Sequence, residues 1–122
     1  MPELVAIHTV LREGKEQAYE EVHARIPDEL MDAHRRAGIH DWRIWRSGRN
    51  LFHLVECDDF AAAMRKIEQE PANQHWQLFI GDYVDHVELT ATGEAALPLV
   101  WRMQEQAAQR PSQPPSTGSP TL

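Results

Sequence analysis

Cysteine is almost absent from this chain. Cys57 stands alone among 122 residues, so no disulfide can form within it. Basic residues are also in short supply, with 12 Lys and Arg against 19 Asp and Glu and a formal net charge of -7. A surface that neutralises phosphates needs the opposite balance, so no nucleic-acid partner is expected. No apolar run approaches the ~20 residues needed to cross a bilayer, so no membrane segment is expected either. Met1-Pro2-Glu3-Leu4 lacks the charged and apolar stretches of a secretory leader, and a cytoplasmic protein is the expectation. There is no Gly-rich phosphate loop and no Gly-x-Ser-x-Gly elbow. The seven histidines (His8, His23, His34, His40, His53, His75 and His86) include no His-x-His and no His-Glu-x-x-His, and there is no cysteine pair. Glu20-x-x-His23 is half of a di-iron carboxylate motif whose second half is missing. No metal and no other cofactor is expected.

What is present fits one domain, long enough for a single core and too short for two. Leu4 to Leu11 is apolar on both parities and β-branched, which predicts a strand covered on both faces. From Lys15 to Ala37 the spacing turns helical, with Tyr19, Val22, Ile26, Leu30, Ala33 and Ala37 in one stripe and Gly38 as a stop. Pro27 interrupts that pattern. It lacks the N–H that the carbonyl of His23 would receive, so a kink or break is expected just after His23.

His40 to Arg46 and Leu51 to Cys57 read as two strands of a hairpin joined by Ser47-Gly48-Arg49-Asn50. Asp58 or Asp59 is placed to cap a helix through Ala61, Met64 and Ile67, and Pro71 opens another that carries Trp76, Phe79 and Ile80. A polar stretch, Asp82 to Glu94, leads to a last apolar segment, Leu97 to Met103, expected as a final strand. The order β-α-β-β-α-(α)-β predicts an α+β fold, the split βαβ of a ferredoxin-like sandwich. Residues 1–105 form this domain, and 106–122, rich in Pro, Ser, Thr and Gln, are expected to be a disordered tail. Helices cover one sheet face. The other, carrying Trp45 or Trp42, has no layer of its own, so a homodimer closing a dimeric α+β barrel is expected.

Tyr19 and His23 stand four apart, one above the other on a helix face. An imidazole with a pKa of ~6.5 exchanges protons near neutrality, and the phenol beside it offers a hydroxyl. Trp76, from a second helix, supplies a flat apolar wall. These parts (proton shuttle, hydroxyl partner and aromatic platform) are those a sugar-sized pocket requires. A lone helix-flank histidine is usually a surface group, but His23 shares the inward stripe with Tyr19. His53, amid Leu51, Phe52, Leu54 and Val55, reads equally as a satisfied interior histidine or a pocket donor. His75 should point away from Trp76. Cys57, at a strand end, reads as a small buried hydrophobe.

Five motifs in order resemble the L-rhamnose mutarotase family. They are Tyr19-x-x-x-His23, Pro27-Asp28-Glu29-Leu30, Gly38-Ile39-His40-Asp41-Trp42, Arg49-Asn50-Leu51-Phe52 and Asn73-Gln74-His75-Trp76. The resemblance runs from the first strand to about Met103. It implies a small dimeric ferredoxin-like isomerase that interconverts the α and β anomers of a 6-deoxy hexose without a cofactor. The family's catalytic histidine falls on His23 and its substrate-binding tyrosine on Tyr19. Trp42 and Trp76 are then expected to pack on the sugar's apolar faces, and His53 is a further candidate substrate contact. Two departures touch the sugar rather than the proton transfer. The rhamnose enzymes have a tyrosine at Trp42, and a tandem tryptophan where Trp76 is followed here by Gln77. L-Fucose is therefore as plausible a substrate as L-rhamnose. Two other readings stay open: a different dimeric ferredoxin-like protein, such as a cofactor-independent or haem-degrading monooxygenase, and a non-catalytic small-molecule binding or dimerisation module.

Overall fold

The computed structural model describes residues 2–109. Within them the elements run β1 (Glu3–Leu11), α1 (Glu16–Val22), α2 (Asp28–Arg36), β2 (Ile39–Ser47), β3 (Asn50–Cys57), α3 (Phe60–Glu68), α4 (Pro71–Ile80), β4 (Val84–Val87) and α5 (Met103–Gln109). The sheet has the order β2-β3-β1-β4 with every pairing antiparallel. This is the ferredoxin-like α+β arrangement that the sequence predicts.

Local chemistry explains the boundaries. Gly38 ends α2 with φ +91, a conformation that side chains with a Cβ rarely adopt, and its carbonyl accepts from the Asp58 amide at 3.0 Å. Ser47 pairs with Asn50, leaving Gly48-Arg49 as a two-residue turn. Gly48 takes positive φ at the first central position, as a type II′ turn requires. The Asp59 carboxylate caps α3 by accepting from the Ala62 amide at 3.0 Å, and Pro71 sits in the first turn of α4.

The core lies between the helices and one sheet face. Val5, Ile7, Val55 and Cys57 pack with Ala37, Ile39, Ala63 and Ile67, while Leu11 and Leu51 pack with Tyr19 and Ile80. The helical stripe is inward as expected, with Tyr19, Leu30, Ala33 and Ala37 all buried. Cys57 is fully buried, and burial raises its thiol pKa, so it stays protonated.

Three expectations need correction. β1 is covered on one face only: Val5, Ile7, Thr9 and Leu11 are buried, whereas Leu4 is 45 % exposed. The opposite face carries Phe52 and Trp45, 42 % and 55 % exposed, while Trp42 lies on the helix side. The last strand is β4, inside the stretch read as polar. An edge strand pairs through its backbone with Thr9–Leu11 and needs no apolar pattern. Leu97 to Met103 is not a strand. The Leu97 amide donates once to the Ala6 carbonyl at 2.9 Å; Pro98 has no N–H to continue, and α5 begins at Met103. Of the tail expected from residue 106, Gln106 to Gln109 belong to α5, and 110–122 lie outside the described residues.

Candidate active site

The helical pattern breaks where Pro27 requires it. α1 stops at Val22 with His23 as its C-cap, and α2 starts after Pro27. The Tyr19 carbonyl accepts twice from His23, from the backbone N–H at 3.1 Å and from Nδ1 at 3.2 Å. A carbonyl can only accept, so Nδ1 carries the proton and the neutral ring keeps its lone pair on Nε2. Among the described residues, no hydrogen bond uses that Nε2. Tyr19 stacks on the imidazole with ring centres 4.0 Å apart, and Trp76 meets it edge-on at 5.3 Å. The structure thus brings Tyr19, His23 and Trp76 together.

Burial lowers the His23 pKa below its ordinary value, partly offset by the hydrogen bond to the Tyr19 carbonyl. The ring is therefore neutral at pH 7 and able to accept a proton. Burial pushes Tyr19 up to about 12, so its phenol remains a donor. No fully buried polar side-chain atom among the described residues lacks a partner, and the Tyr19 hydroxyl bonds to none of those residues. That hydroxyl must therefore open onto the space beside it.

Tyr19 and His23 line a cavity of about 180 Å³, together with Glu20, Ile44, Arg46 and Leu51. Ile44 and Arg46 come from β2 and Leu51 from β3, so the cavity lies between α1 and the sheet. A larger groove of about 540 Å³ runs between α2 and α4, with Pro27, Leu30, Trp76 and Phe79 in its walls. His75 is exposed and borders this groove. Glu20, Ile44, Arg46 and Leu51 were not foreseen as site residues. Glu20 was legible inside the Tyr19–His23 motif, and Arg46 in the alternation Trp42, Ile44, Arg46 along one strand face.

His53 and Trp42 form a neighbouring arrangement, with His53 pairing across the sheet with Ile44 of the cavity lining. The Trp42 indole N–H donates to His53 Nδ1 at 3.0 Å, which leaves Nε2 to carry the proton and donate to the Thr9 hydroxyl at 2.9 Å. Both ring nitrogens are used within the protein, the interior reading of this histidine. Burial, reinforced by the charges of His23 and His8, pushes His53 down to about 4, so it is neutral at pH 7. The Trp42 ring also stacks on His34, with centres 5.5 Å apart. Neither Trp42 nor His53 lines the cavity, and the Trp42 N–H expected for substrate is already taken. No three His, Cys, Asp or Glu side chains among the described residues gather closely enough to hold a metal ion.

The family model described as L-rhamnose mutarotase matches residues 4–110, nearly the whole chain. The chain belongs to the L-rhamnose mutarotase family. Its members are isomerases acting on a sugar anomer. The L-rhamnose mutarotase of Paraburkholderia xenovorans (strain LB400) is 30% identical over 93 residues, which cover 71% of this chain and 86% of that protein. Among solved structures, an L-rhamnose mutarotase from Formosa agariphila superposes with a TM-score of 0.66 at 20% identity, covering 83% of this chain and 98% of that one. Tetracenomycin F2 cyclase from Streptomyces glaucescens, a type-II polyketide cyclase, superposes with a TM-score of 0.53 at 15% identity, covering 82% and 95%. At such identities the superpositions speak for the fold alone. Where the rhamnose enzymes carry a second tryptophan, Gln77 of this mutarotase-family chain reaches along α4 to the buried Asn73, Nε2 to Oδ1 at 3.5 Å.

Proposed function

We propose that this chain is a mutarotase for a 6-deoxy-L-hexose, L-rhamnose or L-fucose, that opens and recloses the ring by general acid/base catalysis. The observation that carries this reading is the imidazole of His23. It is kept neutral by burial, held by the Tyr19 carbonyl through Nδ1, left with an unengaged Nε2, and belongs to the lining of a cavity. Nε2 takes the proton from the anomeric hydroxyl as the C1–O5 bond breaks, and its electron pair goes to O5, which gains a proton. Tyr19 orients a sugar hydroxyl or relays that second proton. The aldehyde at C1 then turns its other face, O5 closes on it, and the two proton transfers run in reverse. Only proton movement and positioning are required, so no cofactor enters the scheme. Trp76 stands in the wall of the adjoining groove, edge-on to His23, and offers its apolar face to sugar C–H groups that reach past the imidazole. Trp42 and His53 are bonded to each other next to this site, His53 pairing across the sheet with Ile44 of the cavity wall.

Anomer exchange followed by NMR saturation transfer tests the proposal. L-Rhamnose or L-fucose should exchange fastest, because the apolar walls that Tyr19, Ile44 and Leu51 supply favour a methyl where other hexoses carry a hydroxyl. Equal acceleration for D-glucose would show that the pocket contacts are misassigned.

The working form in this proposal is a homodimer that joins the two outer sheet faces into a barrel. Trp45, Phe52 and Leu4 supply exposed apolar surface there, and His8 stacks on Phe52 with ring centres 4.7 Å apart. Light scattering over a dilution series should give twice the chain mass. A folded monomer persisting at micromolar concentration would remove this part of the proposal.

A further inference from the structure

Beside His23, the cavity lining includes two charged groups, Glu20 and Arg46. Arg46 donates from Nε to Glu20 Oε1 at 2.7 Å and from Nη1 to the Gly48 carbonyl at 3.0 Å. One anchor is thus a helix residue and the other the II′ turn of the hairpin, and together they fix the plane of the guanidinium. Among the described residues, no hydrogen bond uses Arg46 Nη2 or Glu20 Oε2. The pair leaves a donor and an acceptor side by side in the lining of the cavity that holds His23 and Tyr19. An exposed ion pair of this kind contributes only ~0–1 kcal/mol to folding, so stability does not account for its two-point anchoring.

We infer that Arg46 and Glu20 form a hydroxyl-reading pair that determines which sugar stereochemistry this site accepts. The inference rests on the reading of the cavity as a sugar site. A sugar hydroxyl both donates and accepts, and vicinal hydroxyls offer a donor and an acceptor in one fixed geometry. The free Nη2–H and Oε2 complement such a pair, and only for one relative orientation of the two hydroxyls. Glu20 precedes His23 by three positions on α1, a separation that places side chains ~5–6 Å apart on one helix face. With the anomeric carbon at His23 Nε2, Arg46 and Glu20 reach hydroxyls further round the ring. These are the positions whose configuration separates one 6-deoxy hexose from another. Neither residue touches the bonds that break, so both act on binding rather than on the proton transfers.

Arg46→Leu, Glu20→Gln, Arg46→Lys and the Arg46→Leu/Glu20→Gln double variant test this. Each is assayed for exchange of L-rhamnose and L-fucose, with KM and kcat separated, and for direct binding by saturation-transfer difference NMR. Each of the first two substitutions should raise KM for the preferred sugar about tenfold, leave kcat within about twofold, and compress the preference between the two sugars. The double variant should be no worse than the single ones, because the pair acts as a unit. Arg46→Lys keeps the charge but cannot hold both anchors and still present a donor, so it should rescue only weakly. Thermal midpoints should not move. Unchanged KM and unchanged sugar preference in an active enzyme would overturn the inference while leaving the mutarotase proposal intact. If the unmodified protein exchanges neither sugar, the mutarotase proposal fails, and the binding measurement decides the pair. Sugar binding lost in Arg46→Leu would sustain it, and no binding by the unmodified protein would overturn it.

Discussion

Replacing His23 with alanine or asparagine is expected to cut anomer exchange by at least about a hundredfold, the lower end for a lost general acid/base group. The fold should survive, because the ring is half-buried beside a cavity and bonds only to the Tyr19 carbonyl one turn back. Tyr19→Phe is the control. It keeps the stacked ring and removes the hydroxyl, so a loss of roughly tenfold, ~1.4 kcal/mol, is expected. The pH profile should agree. Burial sets the His23 pKa below 6.5, so exchange stays high down to that pH and falls on the acid side as the imidazolium forms. A variant without His23 that exchanges anomers at the native rate, alongside an inactive His53→Ala, would move the proton shuttle to β3.

Replacing His53 with leucine is expected to act on stability instead. The side chain joins the Trp42 indole to the Thr9 hydroxyl, and its loss leaves both without a partner. With ~1–3 kcal/mol for each buried group left unpaired, the variant should lose about 2–4 kcal/mol in urea unfolding. Acid titration gives a second readout. In the folded protein His53 titrates at about 4, below its ordinary 6.5, so the unfolded chain binds that proton first. The stability from the neutral ring is complete above about pH 6.5 and drains away as pH falls toward 4, by on the order of 2–3 kcal/mol. His23 and His34, also lowered by burial, work in the same direction. The acid-side loss should therefore become shallower in His53→Leu without disappearing. An identical pH slope in the two proteins would show that His53 is not held neutral by this network.

Much of the fold was legible because its signals are local. Pro27 breaks the helix it would otherwise interrupt, and Gly38 and Gly48 mark two of the places where the backbone turns with positive φ. β1 is less covered than its composition implies. Apolar residues on both parities suit a strand buried on two sides, but in the single chain only one side has helices over it. β4 escaped notice for the opposite reason. Val-Asp-His-Val carries little apolar pattern, and its place comes from backbone bonds to Thr9–Leu11, which composition does not record. Leu97 to Met103 has the composition of a strand, but it pairs through one amide only and then leaves the sheet.

The sequence by itself determined the family, the split βαβ order and the pairing of Tyr19 with His23, since a four-residue step on a helix fixes which side chains stack. It also set the break after His23, through a proline that lacks one N–H. Tertiary structure alone decided what each polar atom faces. The two readings of His53 differed in whether its nitrogens served the interior or a pocket, and Trp42 and Thr9, on the strands flanking β3, engage both of them. The charged pair in the cavity lining likewise joins Glu20 of a helix to Arg46 of a strand, twenty-six residues apart in the chain. No local pattern encodes that contact, because it exists only once α1 has packed across the hairpin.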